Sequence, residues 1–199
     1  MKKILFATEN PAKAKRFAKG LLENGIELVT LNDISTSLVV EENGKDAIEN
    51  ALIKAKAYYN ETKMVTMAMD DNLYIDNIPA NLQPQTFVRR INGKRLSDEE
   101  MIEHYSALAH NYGENGKLTA RWVSGIAVVN NGIAKTYTIC NEDFNISEIP
   151  TKKITPGYPL NSISIDIKLD KYFTDITEED KGLVDERENG IVDFITRNA

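Results

Sequence analysis

The segment from Leu118 to Ile139 constrains the fold more than any other part of the sequence. Two β-rich runs, 118–129 and 133–139, flank the sequence Asn130-Asn131-Gly132. An Asn-Gly pair between two such runs is the strongest local signal for a two-residue hairpin turn, because both residues tolerate a positive φ. The sequence therefore predicts a long antiparallel hairpin in the middle of the chain.

The N-terminal region predicts a strand, a helix and a second strand. Ile4–Ala7 is a short apolar run, Asn10 is a good N-cap, and Pro11 suits the first position of a helix. We predict the helix over residues 11–24 and the next strand over 26–31. This alternation of strand and helix is typical of an α/β fold.

Four further elements extend the α/β pattern. The spacing of apolar residues predicts a helix over 46–60, and a strand over 64–69 that ends in the acidic pair Asp70-Asp71. A helix over 97–110 is predicted with Ser97 as N-cap and Glu100 closing a capping box. The tail from Thr177 is predicted to be helical, since acidic residues in a first turn favour the helix dipole.

Composition excludes several classes of protein. The chain has 30 acidic and 24 basic residues and a net charge of −6, which argues against binding to nucleic-acid polymers. Its apolar runs are too short to span a membrane, and its start is not that of a signal peptide. The single cysteine, Cys140, excludes an internal disulfide framework, and we expect it to be buried in a strand. We predict one cytoplasmic domain over residues 1–199 with no membrane partner.

The turn from Thr8 to Lys13 is a candidate anion site. A strand is predicted to end here and a helix to begin, so backbone N–H groups without helical partners would point at a ligand. Lys13 would add a positive charge one turn into the helix. The alternative is an ordinary capped turn with a solvated lysine, and this segment alone leaves both open.

Carboxylates near the predicted ends of elements form a second candidate site. Glu41-Glu42, Glu49 and Asp70-Asp71 have this placement, and ligands of α/β proteins usually bind at strand ends. Such carboxylates are able to hold Mg²⁺, which accepts one or two of them together with phosphate oxygens. Taken singly, each acid is better explained as a solvated residue. The same holds for the basic residues Lys54, Arg89, Arg90, Lys181 and Arg187.

Six segments occur in the same order as the motifs of a known family. Thr8–Lys13 matches T-G-N-x-x-K, 41–44 matches E-E-T-G, and 49–55 matches E-N-A-x-x-K-A. Residues 68–76 align without a gap to A-D-D-S-G-L-x-V-D, and 84–90 align to P-G-x-Y-S-A-R. Residues 173–187 match F-x-E-L-T-x-E-E-K-N-x-I-S-H-R, keeping Phe173, Thr177, Glu179, Lys181 and Arg187. Together these segments resemble the inosine triphosphate pyrophosphatase family over nearly the whole chain.

This resemblance implies a fold and an activity. The implied fold is α/β, a mixed twisted sheet with a long central antiparallel hairpin and two lobes flanking a cleft. The implied reaction is hydrolysis of nucleoside triphosphates, with non-standard purine bases, to a monophosphate and pyrophosphate. Mg²⁺ is the implied cofactor and a homodimer the implied assembly.

The resemblance also assigns roles to individual residues. Asp70 becomes the catalytic base and, with Glu41, a metal ligand. The remaining matched positions become substrate-binding residues, namely Thr8, Glu9, Asn10, Lys13, Lys54, Asp71, Arg90, Lys181 and Arg187.

Several positions depart from the family's motifs. Glu9 replaces the turn glycine, Met69 replaces the first acid of the paired aspartates, and Asp71 replaces the serine after them. The base-pocket motif G-F-G-Y-D-P has only a weak counterpart at 156–160. Asp185-Glu186 stands where the family has Ser-His before the last arginine.

These departures leave two questions open. Because a carboxylate only accepts hydrogen bonds, Glu186 beside the base would disfavour the O6 acceptor, so we expect weak selectivity for 6-oxopurines. One alternative function is a nucleotide-binding protein on the same fold that has lost catalysis. Another is an enzyme of different chemistry, since fold does not determine function.

Overall fold

The computed structural model describes residues 1–181 and 186–199, and their side chains except those of 178, 181 and 186–188. The strands and helices, in chain order, are β1 (Lys2–Phe6), α1 (Pro11–Glu23), β2 (Ile26–Thr30), α2 (Ala47–Thr62), β3 (Thr66–Ile75), β4 (Arg90–Ile91), β5 (Lys94–Arg95), α3 (Asp98–Tyr112), β6 (Lys117–Asn130), β7 (Ile133–Cys140), β8 (Phe144–Ser147), β9 (Ser164–Asp166), β10 (Lys171–Tyr172), α4 (Glu178–Lys181) and α5 (Glu186–Asn198). The predicted α/β class is confirmed.

The chain forms two compact units. The first unit comprises Met1–Asp71, Ser124–Ile139 and helix α5, and the second comprises Asn72–Val123 and 140–181. Strands β3 and β6 each contribute residues to both units. That the chain is a single domain stays a prediction.

The first unit is a sheet with helices on both faces. Its strand order is β2-β1-β3-β6-β7, and β1 is parallel to both of its neighbours. Successive side chains of a strand point to opposite faces, so each strand contributes to two cores. On one face, Met67, Met69, Ile126 and Val128 pack with α1 and α5. On the other, Ala68, Ala127 and Val129 pack with the alanine-rich side of α2.

Local sequence signals account for the ends of the helices. The Asn10 side chain accepts a hydrogen bond from the backbone N–H of Ala12 at 2.9 Å, and Pro11 is the first residue of α1. In α3, Ser97 and Glu100 form the reciprocal capping box that the sequence predicts. Each bond satisfies an N–H group that the helix leaves without a partner.

The turn between β6 and β7 has the backbone that its Asn-Gly pair predicts. Asn131 and Gly132 have φ values of 49° and 74°, and β7 pairs with β6. Two consecutive positive φ angles are the signature of a type I′ turn. Cys140, at the end of β7, is exposed, so the expectation that it is buried was wrong. Tyr137 and Ile139 pack against the core on one face of β7, so Cys140, the next residue, lies on the opposite face.

Strand β3 is longer than the sequence suggested. The predicted strand stopped before Asp70-Asp71, whereas β3 runs from Thr66 to Ile75, so the acidic pair lies inside the strand. The strand continues because Leu73 and Ile75 are buried in the core of the second unit. The placement of the pair is still special. Phe6, the last residue of β1, pairs with Met67, so Asp70 and Asp71 lie beyond the carboxyl end of β1.

The second unit has an antiparallel sheet. In it β8 pairs with β6 and β9, and β9 pairs with β10, all antiparallel. Helix α3 buries Met101, Tyr105 and Leu108 in the core of this unit. Among the described residues, no helix combines the length and the apolar character needed to cross a membrane.

Candidate active site

The acidic pair on β3 places its two carboxylates on opposite faces of the sheet. Met67 and Met69 face α1 whereas Ala68 faces α2, so the alternation directs Asp71 to α1 and Asp70 to α2. The contacts of the two side chains agree, because Asp71 meets Lys13 of α1 and Asp70 meets Asn50 of α2. Two adjacent acids therefore have different surroundings.

Asp71 belongs to a tight ion pair. Its Oδ2 lies 2.7 Å from Nζ of Lys13, and its Oδ1 accepts a hydrogen bond from the Ser124 hydroxyl at 2.6 Å. Burial acts to raise the pKa of Asp71. The nearby Lys13 ammonium, the Ser124 hydrogen bond and the charge of Arg16 outweigh burial and lower that pKa below its ordinary value. Asp71 is therefore held in its ionised form.

Asp70 has the opposite electrostatic character. Burial is the largest influence and raises the pKa of its carboxyl group above the ordinary value. The charges of Lys54 and Lys13 act to lower this pKa, Glu42 acts to raise it, and a hydrogen bond from Asn50 lowers it. That bond joins Asn50 Nδ2 to Asp70 Oδ2 at 2.9 Å. A carboxylate with a raised pKa, on which the charges of two lysines act, is suited to accept a proton beside an anionic ligand.

The two predicted acids at 41 and 42 have different surroundings. Glu42 accepts a hydrogen bond from Lys54 Nζ at 2.7 Å, and its charge acts on Asp70. Glu41 is exposed. The adjacent acid Glu42 is thus the member of the pair that the structure joins to Lys54, and Glu41 as a metal ligand stays a prediction.

The start of α1 is a capped turn, and anion binding there stays a prediction. The hydroxyl of Thr8 accepts from the Asn10 N–H at 3.1 Å, and Asn10 caps the helix. Lys13 lies in the first turn, with its side chain 17% exposed beside Asp71. Glu9 is exposed at the same turn. The structure thus brings Lys13, Lys54, Asp70 and Asp71 together around β3.

A comparison with protein families identifies this architecture. Residues 4–196 match the Ham1 family. The chain belongs to the Ham1 family. This confirms the resemblance that was predicted from the order of short motifs in the sequence.

Relatives of this Ham1-family chain cover almost all of it. The dITP/XTP pyrophosphatase of Bacillus subtilis (strain 168) is 29% identical over 192 residues, which are 96% of this chain and 94% of the relative. The dITP/XTP pyrophosphatase of Leptospira interrogans serovar copenhageni is 28% identical over 194 residues, or 98% of this chain and 95% of that one.

Solved structures share its fold. The Ham1 protein of Staphylococcus aureus is 23% identical with a TM-score of 0.76, and the alignment covers 100% of both chains. A nucleoside-triphosphatase / dITP/XTP pyrophosphatase of Mycobacterium abscessus is 26% identical with a TM-score of 0.69, over 97% of this chain and 98% of that one. The fold is therefore that of Ham1 proteins.

Three predicted substrate residues, Arg90, Lys181 and Arg187, stay predictions. Arg90 is exposed on β4 in the second unit, where its N–H donates to the Phe87 carbonyl at 2.9 Å. Lys181 ends α4 and Arg187 belongs to α5, but both side chains lie outside the described residues.

Sequence reasoning missed two residues of the site. Asn50 is 2% exposed and Ser124 is also 2% exposed, and each hydrogen-bonds one of the paired carboxylates. The signal for Asn50 was present, since it precedes Lys54 by four residues and so shares its side of α2. Ser124 had no such local signal, because its strand meets β3 only in the folded chain.

Proposed function

We propose that this chain is a nucleoside-triphosphate pyrophosphatase, a hydrolase that splits its substrate into a monophosphate and pyrophosphate. The carrying observation is the half-buried Asp70 carboxylate, which lies where the charges of Lys13 and Lys54 both act on it. Family membership supports the reaction, since relatives over nearly the full length are named dITP/XTP pyrophosphatases.

Asp70 is the proposed general base. Its carboxylate would accept a proton from the attacking water, and its raised pKa makes the ionised group a stronger base than an ordinary aspartate. Asp71 has a lowered pKa and an ion-pair partner, which suits a residue that stays charged throughout the reaction. Opposed pKa shifts in neighbouring acids are a recurring means of giving two carboxylates different roles.

The lysines and the start of α1 are the proposed phosphate-binding groups. Lys13 and Lys54 would each direct an ammonium N–H to phosphate oxygens while keeping contact with Asp71 and Glu42, because an ammonium group has three donors. Thr8, Glu9 and Asn10 at the start of α1 are also proposed to contact the phosphates. The N–H groups of Thr8 and Asn10 donate to the Phe6 carbonyl and the Thr8 hydroxyl, so a phosphate would have to replace these internal bonds. Positioning and charge neutralisation of this kind provide most of the catalysis in phosphoryl transfer.

The residues around Asp70 fit a magnesium ion that is shared with the substrate. Asp70 and Glu42 both offer carboxylate oxygens as metal ligands. The charge of Glu42 acts to raise the pKa of Asp70, and a divalent cation would offset this repulsion between the two carboxylates. In the described part of the chain, no cluster of three or more potential metal ligands occurs. Mg²⁺ is commonly bound by one or two carboxylates plus phosphate oxygens. Asp70 with Glu41 or Glu42 would hold it. The chemistry that it supplies when bound is neutralisation of charge on the phosphate oxygens.

A panel of nucleoside triphosphates tests the proposal. The purified chain is incubated with Mg²⁺ and dITP, XTP, ITP or the four standard triphosphates, and pyrophosphate, orthophosphate and nucleotide products are quantified. We expect pyrophosphate and monophosphate in equal amounts from at least one non-standard purine nucleotide. Orthophosphate as the product would contradict the proposal, and binding without turnover would favour the inactive nucleotide-binding protein. The same panel tests the weak selectivity for 6-oxopurines expected from Glu186.

The remaining features of the proposal rest on the resemblance alone. Arg90, Lys181 and Arg187 are proposed to contact the substrate, and the protein is proposed to be a cytoplasmic homodimer acting on free nucleotides. Light scattering after gel filtration tests the dimer, and a monomer at micromolar concentration would contradict it. Charge-removing variants of the three basic residues test the contacts through the KM for substrate.

A further inference from the structure

Helix α2 approaches β6 so closely that only glycine fits at the contact. A Cβ atom on Gly125 would lie 2.4 Å from the backbone N of Ile48 and 2.5 Å from the carbonyl carbon of Ala47. Gly125 therefore lets the first turn of α2 pack directly on the strand. This packing brings Asn50, in the same turn, over Asp70.

Both ends of the Asn50 carboxamide are occupied. Its Nδ2 donates to Asp70 Oδ2 at 2.9 Å, and its Oδ1 accepts from the backbone N–H of Gly44 at 2.8 Å. A carboxylate only accepts and a backbone N–H only donates, so these partners determine which end of the amide is which. With 2% of its surface exposed, Asn50 has a defined orientation and little freedom to leave it.

The close contact with Asn50 leaves no room for a side chain at Gly44. A Cβ atom at this position would lie 2.7 Å from Asn50 Oδ1 and 2.8 Å from the Asn50 backbone N. One turn further along α2, Lys54 binds Glu42 at 2.7 Å. The same side of the helix therefore holds the loop at both Glu42 and Gly44.

We propose that Asn50 is a positioning residue for Asp70, joining its carboxylate to the loop that carries Glu42. The inference rests on the proposed role of Asp70 as the base. Because the hydrogen bond engages Oδ2, rotation of the carboxylate would break it, and Asp70 Oδ1 keeps one direction. Asn50 thus determines how the base faces the water and the phosphates, and acts through Asp70 without itself contacting substrate.

A double-mutant cycle tests this proposal with four proteins, namely wild type, Asn50→Asp, Asp70→Asn and the double variant. Asn50→Asp keeps the acceptor for Gly44 and replaces only the donor that faces Asp70. Asn60→Asp, an exposed site on the same helix, is the matched control. For each protein we measure kcat, KM and the urea midpoint of unfolding at one pH and Mg²⁺ concentration.

We expect Asn50→Asp to lower kcat about 10–100-fold, the range typical of residues that orient a catalytic group. KM should stay within about twofold, because Lys13 and Lys54 are unchanged. Its urea midpoint should fall in the wild-type background, where two carboxylates meet, and recover in the Asp70→Asn background, where a donor again meets an acceptor. The double variant should remain inactive, and Asn60→Asp should match wild type.

Two results would overturn the inference. One is wild-type kcat for Asn50→Asp. The other is an equal fall of the urea midpoint in both backgrounds, which would mean that Asn50 supports the loop without orienting Asp70. A wild-type protein that releases no pyrophosphate from any nucleotide would instead overturn the proposed function, so the two failures are distinguishable.

Discussion

Gly125→Ala is the substitution that most directly perturbs the packing of α2 against β6. The new Cβ would lie about 1 Å inside the ordinary contact distance of 3.4 Å from the backbone of Ile48. Backbone atoms cannot rotate away, so the first turn of α2 has to shift by a similar amount. Forced shifts of this kind cost about 1–3 kcal/mol of unfolding free energy. For a chain of this size that corresponds to a fall in Tm of roughly 2–12 °C.

The same shift should reduce activity. Moving α2 by about 1 Å would stretch the 2.9 Å bond between Asn50 and Asp70 beyond hydrogen-bond range. Misplacements of that size cost on the order of 100-fold in rate in other enzymes. The assays are thermal unfolding followed by circular dichroism, and initial rates of pyrophosphate release at a temperature well below the Tm of the variant.

Gly190→Ala is the matched control for this substitution. The nearest atom to its new Cβ would be the Tyr137 hydroxyl at 3.5 Å, an ordinary contact, and alanine favours a helix over glycine by about 1 kcal/mol. We expect full activity and an unchanged or higher Tm. Wild-type Tm and rate for Gly125→Ala would refute the argument that this glycine permits the close approach of α2.

Three further predictions concern single side chains. Lys54→Met removes a positive charge that acts on Asp70 and should lower kcat/KM about 100–1,000-fold. Lys56→Met, an exposed site on the same helix, is the control and should keep the wild-type kcat/KM. An equal kcat/KM for the two variants would exclude a phosphate role for Lys54. Ser124→Ala removes a hydrogen bond to ionised Asp71 and should lower the free energy of unfolding in urea by about 1.5–3 kcal/mol. Ser106→Ala is the control and should lower it less, because the Ser106 hydroxyl bonds to no described residue. The reverse order would contradict the role assigned to Ser124. Hydrogen bonds from the backbone and hydroxyl of Thr177 and from Lys171 lower the pKa of Asp180 from 3.8 to about 2, so its stabilisation is complete above pH 3.8 and is lost as the pH falls through about 2. The difference in Tm between wild type and Asp180→Asn should therefore shrink as the pH falls over that interval. A difference that grows there would refute the assigned cause.

Features set by neighbouring residues in the sequence were predictable. The Asn10 cap, the Ser97–Glu100 capping box and the Asn131-Gly132 turn each depend on contacts within four residues, and the structure contains all three. Asp70, Lys13 and Lys54 were selected as site residues because their motifs occur at matching separations. Local chemistry was sufficient for the two caps and the turn, whereas the site roles of Asp70, Lys13 and Lys54 stay predictions.

Features set by contacts between distant segments were not predictable. The end of β3 was placed too early, since a polar pair inside a strand looks like a strand end when the partner strand is unknown. Asn50 was missed because its role depends on a hydrogen bond to Asp70, 20 residues away, and on the close packing of α2 that Gly125 permits. The different surroundings of Glu41 and Glu42 likewise depend on how the loop lies against Lys54.

Asp70→Asn tests the central claim most directly. The substitution keeps the size of the side chain and its acceptor oxygen but removes the basic carboxylate, so the fold should persist. We predict that pyrophosphate release from the preferred triphosphate, measured in a single turnover with Mg²⁺, falls at least 100-fold while the urea midpoint stays near that of wild type. Pyrophosphate release at the wild-type rate by the folded variant would contradict the account.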